Sequence, residues 1–366
     1  MKTLFCLLTL SVCAFAGVSV SAPTSGSTGS SPVHFVASAT TTCSSGVSSM
    51  GIYTAPSVLA YTVSGASLNT YLPLSTGTYN TVVQEWDKCG STKTPVTITV
   101  SGGTSTVPAS SHVVVVMEEN HSYSSVIGSS SMPYLNSLAS KYGLATQYYA
   151  NTHPSIGNYL MLTTGAIITN NDSFCSTISN DNVVRHLLTA GKTWKSYADS
   201  LPYAGYTGCG TGEYVKRHNP LAYFSDVANS SEKYNLVPFT QFSKDLANNA
   251  LPNFSFIVPN LLDDAHDGTL TQADNWLKNN IAPLIANSTF QKDGILMIVF
   301  DESYDSDTTH GGGHVVAVVI GPKVRSGSKP TTLYQHPNTL RTLMQALGVQ
   351  TFPGAASSAQ PMTGVF

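Results

Sequence analysis

Hydrophobic patterning changes texture near residue 111. Between residues 32 and 101 the apolar residues fall in short runs, VHFVASAT, LAYTVSG, TYNTVVQEWD and TPVTITVSG. These runs are rich in β-branched and aromatic residues and are separated by Gly, Ser and Asn, with almost no helical spacing. That pattern predicts strands, and their number and length predict a small all-β sandwich. The flanking segments 23–32 (PTSGSTGSSP) and 102–110 (GGTSTVPAS) lack apolar periodicity and read as flexible connections.

From residue 111 to 366 strand-like and helix-like stretches alternate. SHVVVVM is a continuous apolar run, and PYLNSLASKYG sets Leu135, Leu138 and Tyr142 at helical spacing before Gly143. LATQYYA precedes a helix beginning near Ser155, and NVVRHLLTAG leads to TWKSYAD. FTQFSKDLANN leads to NFSFIVPN, and TQADNWLKNNIAPLIANSTF to GILMIVF. Apolar strands separated by helices predict an α/β fold, a mostly parallel sheet sandwiched by helices. Ligands of such sheets bind beyond the carboxyl ends of the strands, which directs attention to the residues that follow each strand.

Composition and charge narrow the classes of function. Charged residues make up 10% of the chain and the formal net charge is -3, so no basic field exists to draw in nucleic acid. The opening MKTLFCLLTLSVCAFAGVSVSA sets Lys2 before an apolar run and then small residues, the layout of a secretory signal peptide. Residues 1–22 are therefore expected to be a leader, cleaved after Ala16 or Ala22, and the protein to be secreted, whether extracellular or periplasmic. No other stretch reads as transmembrane. The leader takes Cys6 and Cys13, leaving Cys43, Cys89, Cys175 and Cys209, an even set for an oxidising compartment. They lack the close Cys-x-x-Cys pairs of a zinc site. Two disulfides are expected, Cys43 with Cys89 and Cys175 with Cys209, each worth about 4 kcal/mol in chain entropy.

Polar residues gather at the predicted strand ends. SHVVVVM runs into EENHS, QYYA into NTHPSIGN, FSFIVPN into LLDDAHDG and GILMIVF into DES, and nine of the ten histidines lie beyond residue 111, His34 being the exception. Carboxylate and amide oxygens from separate strand ends, Glu118 or Glu119 with Asn120, and Asp301 with Glu302, can converge on a divalent cation. Spacing does not choose between Glu118 and Glu119. Ser155 stands at a helix start, where unpaired amides and the helix dipole favour a phosphate, and a neighbouring metal would activate its hydroxyl as a nucleophile. Asn158, one turn on, can point its amide at the same anion. His310 and His314 flank three glycines after the Asp301-Glu302 pair, and either could reach a leaving group. His336, His153 and His121 are placed to orient their neighbours, and His186 reads as structural.

Taken together these strings carry a resemblance. VVVVMEENHSYSSVIG, HPSIGNYLMLTTG, PNLLDDAHDG, FDESYDSDTTHGGGHVVAVVIGPKV and YQHPNTLRTLMQALG cover nearly all of residues 111–366. They resemble the phosphoesterase family that includes bacterial and fungal acid phosphatases and the non-zinc phospholipases C, within the alkaline phosphatase superfamily. The resemblance implies an alkaline phosphatase-like fold in which Glu119, Asn120, Ser155, Asp301 and Glu302 surround one divalent metal ion. It also selects Glu119 over Glu118. It implies that Ser155 forms a phosphoseryl intermediate, and that Asn158, His266 and Asp267 contact phosphoryl oxygens or assist proton transfer, with Asn260 a further candidate. Family members often carry Pro where this chain has Gly157, which implies a looser turn after the nucleophile. Residues 32–101 resemble, in size, strands and cysteine pair, the immunoglobulin-like modules of exported bacterial proteins.

The function expected on these grounds is that of a secreted acid phosphatase acting on small phosphate monoesters. A phospholipase C or other phosphodiesterase is the alternative if the pocket admits a second substituent on phosphorus. A non-catalytic protein, attached to a surface or polysaccharide through its β module, is an alternative of another class. The intact set of Glu119, Asn120, Ser155, Asp301 and Glu302 argues against it.

Overall fold

The computed structural model describes residues 16–29, 33–72, 74, 77–100 and 106–366. Contacts separate a unit ending at Ser105 from one running from Thr106 to Phe366.

The N-terminal unit is all β. Gly17–Ala22, Val33–Thr40 and Ser67–Leu72 form one antiparallel sheet. Ser27–Gly29, Ser91–Val100, Gly77–Asp87, Val47–Ala55 and Val58–Ser64 form the other, in that order. The period of two explains the arrangement: Val33, Phe35, Ala37 and Ala39 are buried while the residues between them face outward. They share one core with Met50, Ile52, Val83, Val96 and Ile98 from the second sheet. Cys43 and Cys89 form the expected disulfide.

Several boundaries differ from the sequence reading. Gly17–Ala22, inside the expected leader, pairs with Val36–Thr40, and its Val18 and Val20 pack against the core. Cleavage after Ala16 would keep this strand and cleavage after Ala22 would remove it. Residues 1–15 of the leader lie outside the described residues. Ser27–Gly29, expected to be a connection, pairs in parallel with Ile98–Val100. Val47–Ala55 and Ser67–Leu72 escaped the pattern because Ser, Gly and Asn interrupt their β-branched texture. Gly51 is required in the first of these, since a Cβ there would stand 2.9 Å from the Trp86 ring.

A seven-stranded sheet organises the larger unit. Its order is Gly143–Leu144, Ala317–Ile320, Ile295–Phe300, Val113–Glu118, Phe254–Val258, Trp194–Ala198, Leu236–Pro238. The last five strands run parallel, and the first two form an antiparallel margin. Every residue of VVVVME and ILMIVF is buried, as strands covered on both faces require. Helices Pro133–Lys141 and Leu270–Ala286 pack together in one group, and Ser155–Thr164 packs with His336–Ala346 in another. LATQYYA yields only the short Gly143–Leu144 strand and bridges at Tyr148 and Tyr149, since Thr146 and Gln147 break its apolar run. Of the expected connection 102–110, residues 102–105 lie outside the described residues. The remainder is packed: Val107 is buried, and Ser110 donates its N–H to the Ala346 carbonyl at 2.8 Å.

Candidate active site

Strand register joins the two acidic clusters. Glu118 pairs with Phe300, and the Asp301 N–H donates to the Glu118 carbonyl at 2.9 Å. The chain then turns at Asn120, whose φ of 55° lies in the left-handed region that Asn tolerates better than most residues. That turn lets the Asn120 N–H donate to Asp301 Oδ1 at 3.0 Å. Glu119 and Asp301 therefore leave neighbouring strand ends together. Glu118 takes no part, being buried with no hydrogen-bond partner on either carboxylate oxygen among the described residues.

Helix Ser155–Thr164 delivers the hydroxyl. It is buried along its whole length and ends at Gly165 in left-handed conformation. Ser155 Oγ donates to Glu119 Oε2 at 3.0 Å and lies 3.3 Å from Glu302 Oε1, so one hydroxyl hydrogen faces two buried carboxylates. Tyr159, four residues on and on the same helix face, donates to Glu119 Oε1. Gly157 is wedged in place, for a Cβ there would stand 2.3 Å from Asn170 Oδ1 and 2.5 Å from Thr152 Cγ2. The turn after Ser155 is tight where the resemblance implied a looser one.

Asn158 is engaged within the protein. Its Oδ1 accepts the N–H groups of Asn151 (2.9 Å) and Thr152 (3.1 Å), while Nδ2 donates to the Thr152 carbonyl at 2.7 Å and to Glu302 Oε2 at 3.4 Å. It clamps the NTHPS turn and Glu302.

Two further groups flank Ser155. On the first, His218 Nδ1 lies 3.1 Å from Asp264 Oδ2 and its Nε2 3.3 Å from Glu119 Oε1, and its ring stacks on Tyr159 at 5.2 Å. His266 joins this group: ligand atoms of Glu119, His218 and His266 lie within 4.8 Å of one another. His266 Nδ1 is 2.7 Å from Asp267 Oδ1, and Arg217 Nη2 is 3.3 Å from His266 Nε2. On the second, His153 Nδ1 lies 3.0 Å from Glu302 Oε2 and 3.7 Å from the exposed Asp305, while its Nε2 bonds the Asp307 carbonyl at 3.0 Å. A covalent link supports the first group. Cys175 and Cys209 form a disulfide, and Lys216 donates its N–H to the Cys209 carbonyl and its Nζ to the Cys175 carbonyl, both at 2.9 Å.

The remaining candidates stand outside the cluster or support it. His310 is exposed and packs edge-on against Tyr149 at 4.4 Å, with no hydrogen bond to the carboxylates among the described residues. His314 is stacked between Tyr123 (4.3 Å) and Tyr149 (4.8 Å), and its ring bonds the Thr146 carbonyl. Asn260 braces its own loop by accepting the N–H groups of Leu262 and Asp263. His121 bonds the Glu119 carbonyl at 2.9 Å and His336 the Asp301 carbonyl at 2.7 Å, so both orient the acidic strand ends as expected of them. His186 bonds Asp181 and Thr351.

Electrostatics mark the centre as frustrated. Burial pushes Glu119 and Glu302 well above the usual carboxylate range, and repulsion from Asp301 pushes the same way. Burial likewise raises Asp301 and Asp264, and it lowers His218 well below the usual histidine range. A neutral His218 carries one N–H, so it cannot donate to Asp264 and Glu119 together. Asp301 Oδ2 is buried with no hydrogen-bond partner among the described residues. A divalent cation fits these groups, because it removes the repulsion among the acids and occupies the orphaned oxygen.

Sequence reasoning missed Tyr159, His218, Asp264, Arg217 and Asp172. Tyr159 was open to discovery through its helical spacing from Ser155, and Asp264 through its place just after a strand. His218 and Arg217 lie in a loop with neither signal.

Comparison with known proteins identifies the family. A profile of the phosphoesterase family matches residues 129–350, which include Ser155, His218, His266, Asp301 and Glu302. The phosphatidylinositol-3-phosphatase of Mycobacterium tuberculosis is 35% identical over 264 residues, 72% of this chain and 85% of that protein. The phosphate-repressible acid phosphatase of Penicillium chrysogenum is 34% identical over 59% of this chain, which spans 54% of the fungal protein. A Vibrio parahaemolyticus protein of the alkaline phosphatase superfamily superposes with a TM-score of 0.45 at 14% identity, over 69% of this chain and 71% of its own.

Proposed function

The chain belongs to the phosphoesterase family and is a phosphoric ester hydrolase, and from that premise we propose that it is a secreted acid phosphatase acting on phosphate monoesters through Ser155. The observation that carries this reading is the buried Ser155 hydroxyl at a helix start, 3.0 Å from Glu119 and 3.3 Å from Glu302. Its relatives bear the names of phosphatases, and two disulfides suit an exported protein. No helix of the described residues is long and apolar enough to cross a membrane.

A phosphoryl group would be received beside Ser155 at the helix start, where the positive end of the helix dipole favours an anion. Ser155 Oγ attacks phosphorus in line with the ester oxygen, and its proton passes to Glu119 or Glu302. The ester P–O bond breaks, and the departing alcohol takes a proton delivered through His266, whose ring Asp267 holds at Nδ1. Water then attacks the phosphoseryl phosphorus. The water proton passes to His266, the P–O bond to Ser155 breaks, the Ser155 oxygen takes back the proton held by Glu119 or Glu302, and inorganic phosphate is released. Glu119, Asp301 and Glu302, beside Ser155 and Asn120, would hold one divalent cation, which would supply positive charge favouring the ionised hydroxyl and offsetting charge on the phosphoryl oxygens.

Ser155→Ala tests the assignment on p-nitrophenyl phosphate with divalent metal present. The expected loss is about 10⁴-fold or more in kcat, and the wild-type protein quenched in acid should carry phosphate on Ser155 by mass spectrometry. Retention of most activity by the variant overturns the reading.

A further inference from the structure

We propose that Arg217 is the binding group for the dianionic phosphoryl moiety and sets a preference for monoesters over diesters. The proposal rests on the reading of Ser155 as the nucleophile.

Charge balance is the first ground. Glu119, Asp264, Asp301 and Glu302 are buried in the site, and Asp172, Asp267 and Asp305 stand at its edges. A phosphate monoester would bring two more negative charges. Arg217 is a permanently charged group among these acids, with its guanidinium 3.3 Å from His266 Nε2. Lys216, next along the chain, is turned elsewhere: its Nζ bonds the Cys175 carbonyl and lies 4.6 Å from the centre of the Tyr223 ring.

The second ground is satisfaction. A guanidinium carries five N–H donors in a fixed fork. Arg217 Nε is buried without a hydrogen-bond partner among the described residues, and its nearest carboxylate oxygen, on Asp172, is 4.0 Å away, beyond hydrogen-bond range. The backbone beneath is firmly held, by Lys216 on one side and on the other by His218, buried between Asp264 and Glu119. A braced base under an under-used fork is the arrangement of a group that awaits a bidentate anion.

Position is the third. Asp172 Oδ1 accepts the N–H of Ile156 at 3.2 Å, so the Asp172–Arg217 pair adjoins the residue that follows Ser155. His266 meets Arg217 at Nε2 and belongs to the same group as Glu119, which receives the Ser155 hydroxyl. A phosphoryl group attacked by Ser155 therefore has the Arg217 fork within reach. A monoester dianion offers that fork two free, charged oxygens while a third faces the metal-binding acids. A diester has lost one charge and one free oxygen, so it gains less from the same contact.

Wild-type enzyme, Arg217→Ala and Arg217→Lys should be compared on p-nitrophenyl phosphate and bis-p-nitrophenyl phosphate, with inorganic phosphate as a competitive inhibitor. Arg217→Ala is expected to lower kcat/KM for the monoester by about 10²- to 10³-fold and for the diester by less than about tenfold, with weaker inhibition by phosphate. Added guanidinium should restore part of the monoester rate to Arg217→Ala, and Arg217→Lys should recover little because an ammonium cannot bind two oxygens in a fork. Equal losses on both esters, unchanged inhibition by phosphate and no rescue by guanidinium overturn the proposal and leave Arg217 as a brace for His266. Should Arg217→Ala fail to fold, Arg217→Gln carries the same comparison at closer shape. If Ser155→Ala proves active, the nucleophile assignment falls. If Ser155→Ala is inactive while Arg217→Ala loses equally on both esters, the Arg217 proposal falls alone.

Discussion

Carboxylates of the N-terminal unit and those gathered around the candidate site of the larger unit meet different fates. In the N-terminal unit, Asp87 accepts the Thr41 hydroxyl and the N–H groups of Cys89 and Gly90, the latter two at 2.7 Å. These donors, Thr41 foremost, hold it below the usual carboxylate range. The buried Glu85 accepts both the N–H and the hydroxyl of Thr92 on Oε1, while its Oε2 has no hydrogen-bond partner among the described residues. In the larger unit the buried Asp245 and Asp274 are likewise supplied with donors, but five other buried acids, Glu118, Glu119, Asp264, Asp301 and Glu302, are pushed upward by burial. An acid surrounded by donors is finished architecture. Acids crowded with too few donors hold free energy that a cation can release, and the contrast separates structure from function within one chain.

Three changes would break or sharpen that contrast, and Asp301→Asn should have the largest effect. Losing a metal-facing charge removes several kcal/mol of transition-state stabilisation, so kcat/KM on p-nitrophenyl phosphate should fall by about 10³-fold. The same variant, stripped of metal, should melt at a higher temperature than stripped wild type at pH 8, since a buried repulsive charge has gone. Full activity, or a lower melting temperature, would erase the distinction between the two sets of acids.

Glu118→Gln comes next. An acid whose folded pKa is raised contributes stability that is fully present below its unfolded value and is lost as pH rises through the folded value. Glutamine cannot ionise, so the variant should gain about 1 kcal/mol or more over wild type at pH 8, with the gain vanishing near pH 4. Urea unfolding at the two pH values checks this, and kcat should change little.

Asp87→Asn should have the smallest effect and the opposite sign. Asp87 has a lowered pKa, so its contribution is present above the unfolded value and disappears as pH falls through the folded one. Thermal unfolding of the N-terminal unit should show a small loss at pH 7 that narrows in acid, with phosphatase activity unchanged.

The same contrast explains what the sequence reveals. SHVVVVM and GILMIVF are legible as strands because burial on both faces demands unbroken apolar runs, and their ends deliver Glu119, Asn120, Asp301 and Glu302 to one place through register alone. Ser155 follows from the helix start beside them. The residue type of Asn158 suits both an anion site and a turn clamp, and its hydrogen bonds to the Asn151–Thr152 backbone, which the spacing does not reveal, make it a clamp as well. The direction of His310 was not legible, because proximity to Asp301 along the chain says nothing of direction beside three glycines. His218 and Arg217 stayed hidden because loop closure, not periodicity, sets their positions. In the N-terminal unit, Gly17–Ala22 reads as leader in composition and as strand only when Val33–Thr40 offers it a partner.

The Cys175–Cys209 bond gives that hidden loop a history. Its two carbonyls grip Lys216 at both ends, so the neighbouring Arg217 and His218 hang from a ring that closes only under oxidising conditions. A chain still in a reducing compartment has its sheet and Ser155 but lacks the clasp that steadies one wall of the site. Reduction of that one bond would loosen the wall that carries Arg217 and His218 while leaving the sheet and Ser155 in place.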